Sequence, residues 1–248
     1  MGADQGGDDS GTTGDEFRSG GPSLRSETSR LLSFSDGVFA IIITLLVLDL
    51  RPPQVGHGQL LHALVEQWPA YVAYVTSYLY VAVSWLNHRS AFHRVHSSGK
   101  ALQWYNLAVL FSTALLPFAT SVVSQAMRDG DRADQRAGVA LYGLVGALIT
   151  TSWLGLYHYL ARRHDLLDEA VPTGFFATER TRAAAGVLSY GLAVLVGFLA
   201  NPLFALAIFL LLPIFYSLTS SGLYELRRLR HHHGQPGGPS ALPLPSDG

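Results

Sequence analysis

The stretch Phe34–Leu50, FSDGVFAIIITLLVLDL, decides how the rest of the chain can fold. It carries an acid near each end, Asp36 and Asp49, and no charge between them. At about 1.5 Å of rise per residue, a helix of this length reaches roughly 25 Å, just short of the hydrocarbon core of a bilayer. Ser-Asp at 35–36 is a good helix start, and Arg-Pro-Pro at 51–53 ends the helix. The stretch is therefore predicted to be a membrane-spanning helix.

One face of this helix carries a single apolar stripe. Ile41, Leu45 and Leu48 are spaced i, i+4 and i+7, so their side chains share one side. Thr44 lies beside the stripe, and Asp36 points to the opposite half of the helix. Our hypothesis is that the stripe lines an ion pore. The alternative is that it packs against a neighbouring helix.

Composition places the chain among membrane proteins. Of its 248 residues, 48% are hydrophobic and only 14% are charged, against about a quarter charged in soluble domains. The absence of cysteine excludes disulfides and thiolate metal sites. Residues 1–29 are acidic and rich in Gly and Ser, which favours a disordered tail over a signal peptide. No basic surface interleaved with aromatics indicates a nucleic-acid partner.

The fold class predicted is an all-α membrane protein with six transmembrane helices. A transmembrane domain is assigned to 30–228, between disordered tails at 1–29 and 229–248, and the run His231–His233 is interpreted as part of a passive tail. The apolar spans lie near 34–50, 68–88, 102–124, 138–160, 183–200 and 203–224.

The distribution of basic residues predicts the orientation. Six spans put both termini on one side, and that side receives 13 of the 17 lysines and arginines. The other side receives Arg51, Arg128, Arg132 and Arg136. Since basic loops stay inside, both termini are expected in the cytoplasm, with the chain in the cell membrane.

The sequence contains no motif typical of an enzyme. The sequence lacks H-E-x-x-H, a Walker loop and G-x-S-x-G, and it also lacks the T-V-G-Y-G filter of common potassium channels. No cofactor and no fixed metal site are therefore expected. The middles of the spans carry no acids, which weakens the case for an acid-coupled transporter.

A polar cluster is predicted at the inner membrane boundary, because the ends of spans one, two and three reach the same depth there. An Arg-Asp pair bridged by His and Asn would satisfy groups that are partly out of water. The residues assigned to this inner polar network are Arg30, Phe34, Ser35, Asp36, Trp85, Asn87, His88 and Asn106.

These residues also carry a family resemblance. R-L-L-S-F-S-D at 30–36 resembles the R-x-x-x-F-S-D signature of the transmembrane protein 175 family of potassium channels. W-L-N-H at 85–88 and N-L-A-V-L-F-S-T-A-L-L-P-F at 106–118 are similar to later blocks of that family. With one signature and one set of six spans, the chain resembles the prokaryotic single-repeat form.

The resemblance implies a homotetramer in which the first helix of each subunit lines a central, K⁺-selective pore. The family's hydrophobic constriction corresponds to Ile41, with Leu45 and Leu48 as further layers, and its selectivity threonine to Thr44. The family's Arg and Asp, here Arg30 and Asp36, are expected to fix the pore helix to spans two and three, pointing away from the stripe. The implied partners are further copies of the chain, the lipid bilayer and K⁺ as the permeant ion.

Two other functions stay open at this point. A small-solute or proton-coupled secondary transporter would need a polar binding site at mid-membrane, where Thr76 and Ser77 are sparse candidates. A membrane scaffold without transport is the third reading.

Overall fold

The computed structural model describes residues 20–97, 99–129, 131–168, 171, 172 and 174–219. In these ranges the chain is all-helical, apart from loops and one isolated antiparallel bridge between Val95 and Leu167. The helices are α1 (Gly20–Leu46, extended by a 3-10 turn at Val47–Asp49), α2 (Leu60–Glu66), α3 (Trp68–Phe92), α4 (Lys100–Ala114), α5 (Leu116–Asp129), α6 (Arg132–Arg162), α7 (Phe175–Leu199) and α8 (Pro202–Thr219).

The architecture is that of a multi-pass membrane protein. Among the described residues, four stretches are long and apolar enough to cross a bilayer: Thr28–Asp49, Lys100–Arg128, Arg132–Arg162 and Phe175–Leu199. The other two predicted spans also form helices, α3 with 25 residues and α8 with 18. An all-helical membrane fold is therefore confirmed.

The first and third predicted spans differ in detail from the structure. α1 begins at Gly20, so the predicted domain boundary at residue 30 falls inside a helix. The third span is two helices, α4 and α5, separated at Leu115. Pro117 explains this break, because proline has no N–H to donate and its ring clashes with the carbonyl four residues earlier.

The fifth span begins earlier than predicted. α7 starts at Phe175, eight residues before the expected start at 183, because the charged run before 183 is helical. Arg182 and Glu179 form an ion pair at 2.8 Å with i, i+3 spacing, which a helix brings to one face. Residues 1–19 and 220–248, including His231–His233, lie outside the described part of the chain.

Small residues let α6 and α7 approach closely. Gly143 faces Val194, and Gly146 faces the ring of Tyr190; a methyl group at either glycine would overlap that side chain. α7 and α8 form a tight hairpin, in which the Asn201 side chain accepts a hydrogen bond from the backbone N–H of Leu203 at 3.0 Å. This half of the bundle is a compact support for the remaining helices.

Candidate functional site

α1 has one buried face and one exposed face. Phe39, Ile42 and Leu46 are buried to 1%, 2% and 0% exposure against the rest of the subunit. The side chains of the predicted stripe lie on the other face, and Ile41, Leu45 and Leu48 are 60%, 44% and 67% exposed. A single subunit therefore leaves a continuous apolar surface on its first helix.

Thr44 shares the exposed face of α1. Its hydroxyl donates to the carbonyl oxygen of Ile41 at 2.8 Å, one turn earlier in the helix. The hydroxyl proton is thus used in a hydrogen bond within the helix, and the oxygen keeps lone pairs that can face a group beside the stripe. An oxygen held in this way can accept a hydrogen bond or contact a cation.

A buried hydrogen-bonded triad holds the other face of α1. The Asn106 amide donates to the Ser35 hydroxyl at 3.0 Å, and its carbonyl oxygen lies 2.7 Å from Nε2 of His88. Ser35 also donates to the carbonyl of Leu31 at 2.9 Å. Since Ser35, His88 and Asn106 are each fully buried, the triad ties α1, α3 and α4 together at one depth.

His88 sits among aromatic rings from three helices. It stacks on Phe92 with 4.3 Å between ring centroids, and Phe39 and Trp153 meet it edge-on at 5.4 and 6.2 Å. The rings come from α1, α3 and α6, so the imidazole is a packing centre as well as a hydrogen-bonding group. Any movement of α1 in this region has to repack this centre.

Asp36 is bound by the indole of Trp85. The ring N–H donates to the carboxylate at 2.8 Å, which gives a second polar tie between α1 and α3. Hydrogen bonds to a charged acceptor are stronger than neutral ones. The structure thus brings together five of the predicted network residues: Ser35, Asp36, Trp85, His88 and Asn106.

Three predicted network residues lie elsewhere. Arg30 precedes Ile41 by eleven residues and Phe34 precedes it by seven, which are three and two helical turns. Both therefore lie on the stripe's own face, where Arg30 is exposed and Phe34 is 55% exposed. This position differs from the expectation that Arg30 lies on the side of α1 opposite the stripe. Within the described residues it forms no ion pair with Asp36.

Asn87 is also separate from the triad. One position along α3 turns its side chain about 100° from that of His88. It lines a cavity on the far side of α3 instead.

Sequence reasoning missed a polar cluster deeper in the bundle. The Ser77 hydroxyl lies 2.7 Å from that of Thr120 and 3.0 Å from the phenol of Tyr142. These groups join α3, α5 and α6 just beyond the break at Leu115. The signal that could have found them is weak, since the partners are 43 and 65 residues away from Ser77 in sequence.

The geometry of α1 and its neighbours indicates the class of protein. It is a multi-pass membrane protein whose first helix is fixed on one side by polar ties and leaves its apolar side uncovered. In the described residues, no group of His, Asp and Glu could hold a metal ion. Such a helix leaves an apolar surface that another protein surface or lipid can cover.

Comparison with known proteins supplies the family. The family model described as the endosomal/lysosomal potassium channel TMEM175 matches residues 30–117. A potassium channel of Streptomyces collinus is 40% identical over 192 residues, which cover 77% of this chain and 92% of that protein. The chain belongs to the TMEM175 family, a family of ion channels and not of enzymes.

Two further relatives mark the range of the family. A crystal structure of a lysosomal potassium-selective channel TMEM175 homolog from Chamaesiphon minutus matches with a TM-score of 0.67 and 28% identity, covering 79% of this chain and 99% of that one. The human endosomal/lysosomal proton channel TMEM175 is 34% identical over 112 residues, 40% of this chain and 22% of that protein. The region matched by the family model includes α1 from residue 30 onward and the three triad residues.

Proposed function

We propose that the chain is one subunit of a potassium-selective channel, a homotetramer whose four α1 helices surround the pore. The observation that carries the proposal is the division of α1 into a fully buried face and an exposed apolar stripe. The name of the Streptomyces relative, a potassium channel, supports K⁺ as the permeant ion. The proposal also includes six spans per subunit, a location in the cell membrane and both termini in the cytoplasm. The excess of basic residues on the side of the termini supports this orientation.

The stripe forms the gate in this proposal. Rings of Ile41, Leu45 and Leu48 offer an ion no oxygen ligands, so a narrow pore of this kind excludes water and closes by dewetting. Opening requires α1 to tilt or rotate. The buried triad and the bond from Trp85 to Asp36 limit that motion, because they fix the opposite face of the helix.

Selectivity follows from the cost of dehydration. An ion that enters the apolar ring has to lose or compress its hydration shell, and this loss is expensive. Na⁺ holds its shell more tightly than K⁺, so it is excluded more strongly. The Thr44 oxygen, exposed beside the stripe, returns part of the lost coordination.

The test is a reversal-potential measurement on purified protein in a planar bilayer under opposed K⁺ and Na⁺ gradients. Ile41→Asn is expected to raise the conductance and to move the reversal potential towards zero, because a polar ring stays hydrated. Leu188→Asn is the matched control, since Leu188 is 74% exposed but lies on α7. Equal currents and potentials for wild type and Ile41→Asn would remove Ile41 from the constriction.

Two added conditions separate the rival functions. Saturable flux that depends on a coupled ion gradient would favour a transporter, and no K⁺ flux at any pH tested would favour a scaffold. A proton gradient is included because the vertebrate relatives are named proton channels.

A further inference from the structure

The stripe's face of α1 carries an exposed cation near the start of the helix. Arg30 lies close to the beginning of the apolar span Thr28–Asp49, and its side chain is exposed. Within the described residues its guanidinium makes no hydrogen bond, ion pair or ring contact. Asp36 does not compensate it, because Asp36 lies on the opposite half of the helix and accepts a hydrogen bond from Trp85. This face of α1 therefore bears one uncompensated positive charge in each subunit.

The rest of this end of the bundle is basic as well. The triad joins α1, α3 and α4 here, and the hydrogen bond from His96 N–H to the Leu166 carbonyl joins the segments that follow α3 and α6. From residue 28 onwards, the described part of this end has eight lysines and arginines against four acids, which are Asp36, Asp165, Asp168 and Glu179. Three of these carboxylates already accept a hydrogen bond from a neighbouring side chain. The described acids are thus too few to balance the charge at this end.

The proposed tetramer makes the charge of Arg30 important for ion entry. The inference rests on that proposed function, because only four α1 helices around one axis bring four Arg30 side chains to the inner mouth of a pore. Four cations at an entrance raise the local potential and lower the local concentration of K⁺. Lipid headgroups do not offset them, since this arrangement turns Arg30 away from the bilayer. A countercharge therefore has to reach Arg30 from the aqueous side.

The segment before α1 has the opposite charge. Residues 1–19 have one base, Arg18, and five acids: Asp4, Asp8, Asp9, Asp15 and Glu16. They lie outside the described part of the chain, which begins at Gly20. Gly20 precedes Arg30 by ten residues, which is about 15 Å along α1. Because the segment is covalently attached, its acids meet Arg30 at an effective concentration in the millimolar range.

The length of the segment selects Asp8 and Asp9 among these acids. Eleven residues separate Asp9 from Gly20, and a Gly/Ser-rich linker of that length has an r.m.s. span of about 17–20 Å, close to the distance required. Effective concentration is highest when the r.m.s. span matches the distance. Asp15 is five residues from Gly20 and reaches about 16 Å only when fully extended. Two adjacent carboxylates also suit a guanidinium, which has five N–H donors.

We propose that the Asp8–Asp9 pair of the N-terminal segment binds Arg30 and neutralises the inner mouth of the pore. The carboxylates accept charge-assisted hydrogen bonds from the guanidinium. The local K⁺ concentration at the entrance, which four uncompensated arginines lower, is thereby restored. The contact is exposed, so salt weakens it, because the Debye length falls from about 10 Å at 0.1 M to about 3 Å at 1 M.

Photo-cross-linking of the full-length protein tests the contact. Ser10→Cys introduces a single cysteine, and a thiol-reactive benzophenone attached to it is irradiated at low salt. Mass spectrometry is expected to find the cross-link on α1, within residues 30–38. Arg30→Gln is expected to reduce the yield about fivefold, the upper end of the effect of an exposed ion pair. Arg162→Gln is the matched control, because Arg162 is an exposed arginine at the same end of the bundle, on α6.

The K⁺ current tests the electrostatic role. At about 20 mM KCl, the double variant Asp8→Asn/Asp9→Asn is expected to lower the current that enters from the inner side about tenfold, the low end of such electrostatic effects. Adding Arg30→Gln is expected to restore the current, and raising KCl to about 1 M is expected to remove the difference. Asp134→Asn is the matched control, because Asp134 is an exposed acid at the opposite end of α6.

The outcomes separate this contact from the channel function. A cross-link on α4, α6 or α7 instead of α1 would overturn the proposal, and so would a higher current in Asp8→Asn/Asp9→Asn. A cross-link near Arg30 with no K⁺ current in any variant would support the contact and refute the channel. A K⁺-selective current with no cross-link to α1 would refute the contact alone.

Discussion

Replacing Asn106 with leucine isolates the contribution of the buried triad to stability. Leucine has the same number and branching of side-chain heavy atoms and is somewhat larger, so the change removes hydrogen bonds without adding a cavity. Nδ1 of His88 already has no partner within the described residues, so the loss of the 2.7 Å contact leaves both ring nitrogens unsatisfied. Such a buried group costs about 1–3 kcal/mol.

The loss of the Asn106 amide costs Ser35 less free energy than it costs His88, because the hydrogen bond from Ser35 to the Leu31 carbonyl remains. Its share is about 1 kcal/mol. The sum is about 3 kcal/mol, with a floor of about 1 kcal/mol, since hydrogen bonds between membrane helices average only about 0.6 kcal/mol each. At about 2–4 °C per kcal/mol for a protein of this size, the expected decrease in Tm is about 6–12 °C for the full sum and about 2–4 °C at the floor.

The assay is thermal unfolding in a detergent free of added lipid, with Asn87→Leu as the matched control. Asn87 is half-buried and makes no hydrogen bond among the described residues, so its replacement is expected to stay within about 0.5 kcal/mol of wild type. If the two variants have the same melting temperature, whether lowered in both or unchanged in both, the distinction between these asparagines is wrong.

Two further predictions concern the packing of the bundle. Gly146→Ala forces a methyl group into the ring of Tyr190 and is expected to lower the stability of the fold by about 1–3 kcal/mol. Gly191→Ala has open space around the new methyl group and is expected to raise the stability by up to about 1 kcal/mol. Thermal melting of the two variants is compared. Asp36→Ala removes the acceptor of Trp85 and is expected to lower the melting temperature of the proposed tetramer while leaving ion preference unchanged. An altered reversal potential with an unchanged melting temperature in Asp36→Ala would contradict the prediction for that variant.

Much of the fold and part of the site could be predicted from sequence, because they depend on local periodicity. The spacing of Ile41, Leu45 and Leu48 correctly predicted a shared face, and that face is exposed. The same spacing, carried back by two and three turns, places Phe34 and Arg30 on it as well. Their assignment to the inner network followed from depth along the helices, and depth does not determine which face of α1 a side chain lies on.

Contacts between distant segments could not be derived in the same way. Asn106 and Asn87 have the same chemistry and lie at similar distances from helix ends, yet only Asn106 faces His88. The rotation of each helix about its own axis decides this, and that rotation depends on packing among all the helices. The cavity that Asn87 lines has the same origin, since its walls come from four helices.

The proposed position of α1 at the pore is tested most directly by thiol block of the K⁺ current. The natural chain has no cysteine, so Leu48→Cys and Leu192→Cys each introduce a single reactive group. Leu48 is 67% exposed on α1 and Leu192 is 58% exposed on α7, which makes the second a matched control. We predict that a charged, membrane-impermeant thiol reagent abolishes the current of Leu48→Cys and leaves that of Leu192→Cys unchanged. Block of Leu192→Cys with no effect on Leu48→Cys would place the pore at α7 and contradict the account.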